Sequence, residues 1–186
     1  MLDPAELVPQ TIRPLKRSEY DRLVASGAFE GDRVELIRGT LVTMAPNDPD
    51  HANPIDLLNR MLVQAIGDRA RVRIQQSVIA ADESEPQPDV AIVPPRSYAK
   101  EHPSAALLVI EVASSSLTKD RRVKAPLYAA SGFPEYWIVN VREQQVEVFR
   151  KPIAGAYTEA SVHGRDATVS PEAFPDIRVP VAALFE

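Results

Sequence analysis

Apolar positions along the chain follow a helical period at first and a strand period later. Tyr20, Leu23 and Val24 share one face of a helix predicted over 18–29, with Ser18 placed to cap it and Gly27 to end it early. Two short apolar runs, 34–37 and 41–44, flank Arg38-Gly39, a pair suited to a tight hairpin because glycine accepts positive φ. Ile55, Leu58, Leu62, Ala65 and Ile66 then recur at helical spacing, which predicts a helix over 53–66 with Asn53 as cap, Pro54 in the first turn and Gly67 as stop.

Beyond Gly67 the period changes. Residues 72–80 read as a strand, and 90–93 as a short strand between prolines. Residues 107–113 are almost continuously apolar, as in a strand buried on both faces. A helix is predicted over 120–131 and closed by Gly132, followed by strands at 136–139 and 146–149. The tail from 150 reads as short strands and loops, with Leu184 and Phe185 packing back on the core. This order predicts an α/β (α+β) fold, a central mixed sheet with helices on its faces, preceded by a helix and a hairpin.

Length and composition add limits. With 186 residues the chain is expected to form a single domain, 1–186, comprising an N-terminal extension 1–17, a core 18–150 and C-terminal strands and loops 151–186. There is no cysteine, which excludes disulfides and thiolate metal sites. No apolar run reaches membrane-spanning length, and the first ten residues lack a basic-then-apolar leader pattern, so a cytoplasmic protein with no membrane partner is expected. The net charge of −5 argues against a general nucleic-acid coat protein but not against an enzyme whose cleft carries its own acids. Two basic clusters stand out: Arg69, Arg71 and Arg73, then Lys119, Arg121, Arg122 and Lys124. Taken alone, each is a solvated face.

The chemistry concentrates at two acids. Glu111 lies inside an apolar strand, where an ionised carboxylate is costly unless it is paired or binds a metal. Asp89 precedes the 90–93 strand, so neighbouring strands can deliver both acids to one end of a sheet. Converging carboxylates call for a cation, and an all-oxygen donor set without cysteine or clustered histidine suits Mg²⁺ or Mn²⁺ rather than zinc. Lys124, further along on the next helix, could neutralise charge developing on a phosphate. Ser114, Ser115 and Ser116 lack the elbow of a serine hydrolase, and the scattered glycines form no phosphate loop.

Several motifs, taken together, resemble the Uma-type endonuclease family of the PD-(D/E)xK nuclease superfamily, which includes restriction endonucleases. They are Val34-Glu35-Leu36-Ile37-Arg38-Gly39, Gln87-Pro88-Asp89-Val90-Ala91-Ile92-Val93, Val109-Ile110-Glu111-Val112-Ala113, the stretch from Asp120 through Lys124 to Gly132, and Glu135-Tyr136-Trp137-Ile138-Val139-Asn140. The resemblance implies a restriction-endonuclease-like three-layer core and a metal-dependent nuclease acting on DNA, with a homodimer as a compatible assembly. It implies catalytic Asp89, Glu111 and Lys124 with Glu35 in support, and a metal held by Asp89, Glu111 and the Val112 carbonyl. His51, expected just ahead of the second helix, with Lys119, Arg121 and Arg122, would contact substrate. The chain departs from the pattern in having Ala113 where the superfamily places its lysine, Arg38 in the hairpin turn, Asn140 after the Tyr-Trp strand, and Pro126 in the lysine-bearing helix. A non-catalytic binding module on the same fold is the alternative.

Overall fold

The computed structural model describes residues 13–44 and 48–186. They fall into two compact units, one of residues 13–44 together with Ile79–Pro86, the other of residues 48–78 together with Gln87–Glu186.

The first unit contains α1 (Arg17–Ala25) and the hairpin β1 (Val34–Ile37) and β2 (Thr40–Thr43). Helix α1 starts one residue ahead of the predicted boundary. Its cap is Lys16 rather than Ser18, because Glu19 reaches back to the Lys16 N–H at 3.0 Å. The helix ends at Ala25, before the left-handed Gly27. The hairpin turn is the expected Arg38-Gly39 pair, with φ of 47° and 75°, the double left-handed conformation of a type I′ turn. The 79–86 segment lies along β1: Glu85 N–H donates to the Leu36 carbonyl at 2.8 Å, and Gly39 N–H to the Glu83 carbonyl at 2.7 Å.

The second unit is built on a six-stranded mixed sheet of order β3-β4-β5-β6-β7-β8. These strands are β3 (Arg71–Ile74), β4 (Val90–Val93), β5 (Leu108–Ala113), β6 (Glu135–Asn140), β7 (Gln145–Ile153) and β8 (Ala156–His163). Only β5 and β6 are parallel, so the chain must cross over between them. The crossover is a helical run of α3 (Leu117–Lys119), a π-turn (Asp120–Lys124) and α4 (Ala125–Ala130). On the opposite face lies α2 (Pro49–Ile66). Its Ile55, Leu58, Leu62 and Ile66 pack with Val90, Ile92, Ile110, Val112 and Trp137, while Tyr128 and Ala125 of α4 join Ala91, Val109, Tyr136 and Ile138 on the other face. This is the expected arrangement of a mixed sheet with helices on both sides.

Some boundaries differ from the sequence reading for identifiable reasons. Helix α2 begins at Pro49, not Asn53, because Asp48 caps it: its carboxylate accepts from His51 N–H at 2.8 Å. Pro49 then takes the first helical position, and Pro54 is tolerated inside the helix. Strand β3 stops at Ile74 rather than running to residue 80, since Gln75 adopts φ 50°. The crossover run starts at Leu117, ahead of the predicted 120. In the tail, β8 is an eight-residue edge strand rather than a short one. Strands β9 (Thr168–Val169) and β10 (Val179–Pro180) precede a closing 3₁₀ turn, Val181–Leu184, and Leu184 is fully buried in the core as expected. No described helix is long and apolar enough to cross a membrane.

Candidate active site

The acids are positioned by sheet register. Val90 pairs with Ile110 across the antiparallel β4–β5 ladder. One step further along, Asp89 stands beside Glu111, in the alternation phase of Ala91 on β4 and of Val109 and Ala113 on β5. Both residues are buried, with Asp89 5% exposed and Glu111 4% as whole residues. Asp89 lies just outside β4, and its Oδ2 accepts from the Val112 N–H at 2.8 Å. Its carboxylate thus ends the ladder where a backbone carbonyl would have continued it.

Two basic side chains face these acids. Lys124 Nζ donates to Glu111 Oε1 at 2.9 Å, and the lysine side chain is only 3% exposed. His51 Nε2 lies 3.1 Å from Asp89 Oδ1. The hydrogen bond to Asp89 raises the imidazole above its ordinary pKa. Burial opposes this, and a hydrogen bond to the Val112 backbone supports it. His51 sits inside the first turn of α2 rather than ahead of the helix, and it touches both the Asp89 carboxylate and the Val112 backbone expected to hold a metal.

The π-turn explains how Lys124 reaches Glu111 despite Pro126. Ala125 N–H bonds back five residues to the Asp120 carbonyl, opening the helix by one residue just before the proline, which has no N–H to donate. The widened turn absorbs the proline, and the helical run continues without the break that its ring would otherwise impose.

Two residues join the cluster without having been singled out from the sequence. Tyr128 donates its hydroxyl to Glu111 Oε1 at 2.7 Å, the same oxygen that Lys124 contacts. The signal was available: Lys124 and Tyr128 are four apart, so a helix presents both on one face. Asp120 is buried and accepts a hydrogen bond from Ser116 Oγ. Burial pushes its carboxyl above the usual range, while Ser116 and then Lys124 pull it down. Nothing in its sequence surroundings marks it as buried, because its neighbours Lys119, Arg121 and Arg122 are charged.

The other expected residues are placed as follows. Glu35 lies on β1 in the first unit and is fully buried, not a surface hairpin residue. Arg121 holds Glu147 of β7 with two hydrogen bonds, 2.8 Å from Nε and 2.6 Å from Nη2, so its guanidinium is already engaged. Lys119 is half-buried and Arg122 is exposed. Among the described residues no group of three or more histidine, aspartate or glutamate side chains forms a ready metal cluster. The expected Mg²⁺ or Mn²⁺ donors, Asp89, Glu111 and the Val112 carbonyl, amount to two buried carboxylates and one backbone group, a set that would leave places for water, as Mg²⁺ prefers.

No curated protein matches the chain. Among solved structures, the chain is similar to one described as a putative nuclease belonging to DUF820 from Anabaena variabilis, with TM-score 0.77 and 20% sequence identity, covering 92% of this chain and 98% of that one. That likeness establishes a shared fold. A family model described as "Uma2: Putative restriction endonuclease" matches residues 17–182, nearly the whole chain, and the protein therefore belongs to the Uma2 family.

Proposed function

We propose that the protein is a metal-dependent nuclease that hydrolyses phosphodiester bonds in DNA. The observation that carries this reading is the burial of Asp89 and Glu111 side by side at one end of β4 and β5, with Lys124 Nζ 2.9 Å from Glu111. Asp89, Glu111 and the Val112 carbonyl are the residues that would hold Mg²⁺ or Mn²⁺. Such an ion, when bound, acidifies water and polarises a phosphate.

The chain's own groups divide the remaining work. Asp89 is fixed by the Val112 N–H and His51, so its carboxylate needs little reorganisation to act as a ligand. Tyr128 and Lys124 hold Glu111 from one side through a single oxygen. Lys124, brought to the acids by the helix rather than by the strand position of Ala113, supplies positive charge where a phosphate under attack gains negative charge. Lys119 and Arg122, in the crossover run itself, are suited to backbone contacts, which position a duplex without reading sequence. No step is assigned to Glu35.

The alternative, a binding module that keeps the fold without the chemistry, draws on one observation: each acid already has a hydrogen-bonding basic partner within the protein, His51 for Asp89 and Lys124 for Glu111. Cleavage of duplex DNA, single-stranded DNA and RNA with and without Mg²⁺ or Mn²⁺ tests the nuclease reading. Metal-dependent cleavage lost in Asp89→Ala and in Glu111→Ala is the expected result. Activity persisting in either variant overturns it. Calorimetry with Mn²⁺ separates the alternative, since a silent module gives no heat that depends on Asp89.

A further inference from the structure

A second charged cluster, in the sheet unit, plays no part in the chemistry above. Strand β3 is an edge of the sheet. Arg71 stands opposite Val93 and Arg73 opposite Ala91, so both arginines leave the sheet on the face of Ala91, Val109 and Glu111. The β4–β5 loop adds Arg96 and Tyr98. The Arg73 guanidinium lies 5.4 Å from the centre of the Tyr98 ring and that of Arg96 lies 5.1 Å from it. The Tyr98 hydroxyl donates to the Pro94 carbonyl at 3.0 Å, which fixes the ring between them.

Among the described residues, neither Arg71 nor Arg73 makes an ion pair with a carboxylate, whereas Arg69 pairs with Asp176 and Arg96 with Glu101. Arg73 Nη2 donates to His102 Nδ1 at 3.4 Å, but Arg73 Nε is a buried donor with no hydrogen-bond partner. Burial, and to a smaller degree the neighbouring Arg71, push Arg73 below its ordinary pKa. A cleft of about 460 Å³ opens along this edge, between β3 and the end of α2, lined by Val63, Gly67, Arg71, Arg73 and Gln76. In a protein of net charge −5, two adjacent arginines without counter-ions beside an open cleft present a concentrated positive site. The planar guanidinium fork matches phosphate oxygens in pairs.

We propose that Arg71 and Arg73, supported by Arg96 across the Tyr98 ring, bind the phosphodiester backbone of DNA. The choice of DNA rests on the nuclease reading above. The row Arg73–Ala91–Val109 leads straight across the sheet, and Glu111 lies two residues further along β5, about 12 Å from Arg73 between Cα atoms. That face is covered by α4 between the edge and the acids, so a backbone held at the β3 edge lies at the rim of the covered face, within a few nucleotides of the acids.

The test is fluorescence anisotropy of a labelled DNA duplex, with a labelled RNA duplex as a second arm, in EDTA and over a series of salt concentrations. Arg71→Ala/Arg73→Met removes both charges while keeping a side chain against Tyr98. Arg71→Glu alters only an exposed position and guards against loss of fold. Arg178→Ala removes a single charge at another exposed site. The double variant is expected to bind DNA roughly tenfold more weakly near physiological salt, with the log–log salt slope reduced by about 2. Arg71→Glu should weaken DNA binding as well, and Arg178→Ala should leave it unchanged. DNA binding and slope identical in wild type and variants overturn the proposal, leaving the arginines as guards of an open strand edge. Dependence on them for RNA alone overturns it too. Cleavage is scored separately. A wild type that cleaves, with KM unaffected by the arginine changes, sinks this surface and spares the nuclease reading. Arginine-dependent DNA binding without cleavage does the reverse.

Discussion

Replacing Lys124 with methionine tests the arrangement at its most buried point. The Lys124 and Glu111 side chains are 3% and 5% exposed and 2.9 Å apart, so solvent screens the pair very little. Methionine keeps most of the volume but leaves the Glu111 carboxylate facing the Tyr128 hydroxyl without its cation. Breaking a buried pair from one side costs about 3–5 kcal/mol, because the surviving charge keeps its desolvation penalty and loses its compensation. With a urea m-value of about 2 kcal/mol/M, the unfolding midpoint should fall by about 2 M. Adding Glu111→Gln removes the stranded charge and should restore the larger part of the loss, giving a coupling of about 2 kcal/mol or more in the double-mutant cycle. Urea denaturation of the four proteins, followed by circular dichroism without divalent metal, reads both quantities. A loss under about 1 kcal/mol in Lys124→Met, or a double variant less stable than the single, would refute the idea that these two charges hold each other in the interior.

Other outcomes follow from the same structure. Burial raises the Asp120 carboxyl above 3.8 in the folded protein, so its favourable contribution is complete below pH 3.8 and is lost as the pH rises through the raised value. Asp120→Asn should therefore gain stability relative to wild type between acid and neutral pH, and paired urea titrations at the two ends check the sign. Gly39→Ala should be costly, about 2–4 kcal/mol, because a Cβ there would meet Pro14 Cβ at 2.2 Å and Leu15 N at 2.9 Å on top of a φ of +75°. Gly31→Ala, with nothing within 4 Å and only its φ of +89° to resist it, should cost about 1 kcal/mol, and thermal unfolding distinguishes the two. Asp48→Ala removes the cap of α2 and should cost about 1 kcal/mol in the same assay.

The sheet and its flanking helices were legible because their apolar residues alternate or recur at the right period: β4 was bounded correctly from its prolines, and the buried side of α2 from Ile55, Leu58 and Leu62. Boundaries set by single hydrogen bonds were not legible. Asp48 outcompetes Asn53 as a cap by reaching His51 N–H, and a left-handed Gln75 ends β3, neither of which any period encodes. That Asp89, Glu111 and Lys124 come together was legible from the oddity of acids beside or within apolar strands and from family resemblance. Tyr128 was missed because a tyrosine in a buried helix reads as core. Asp120 was missed because its burial depends on a π-turn, and the placing of its neighbour Arg121 on Glu147 depends on a tertiary partner 26 residues away.

The extra residue that widens the helix before Pro126 has a further consequence. Five residues share a turn that an α-helix would close with four, so the bulge takes up one residue without passing the helix's roughly 100° per residue on to its flanks. Deleting one residue between Asp120 and Lys124 should let the run wind as an ordinary α-helix, with both flanks still facing as they do now. What returns is the conflict between the Pro126 ring and the carbonyl four residues back, so a shortened segment should be tolerated best when Pro126 is replaced as well.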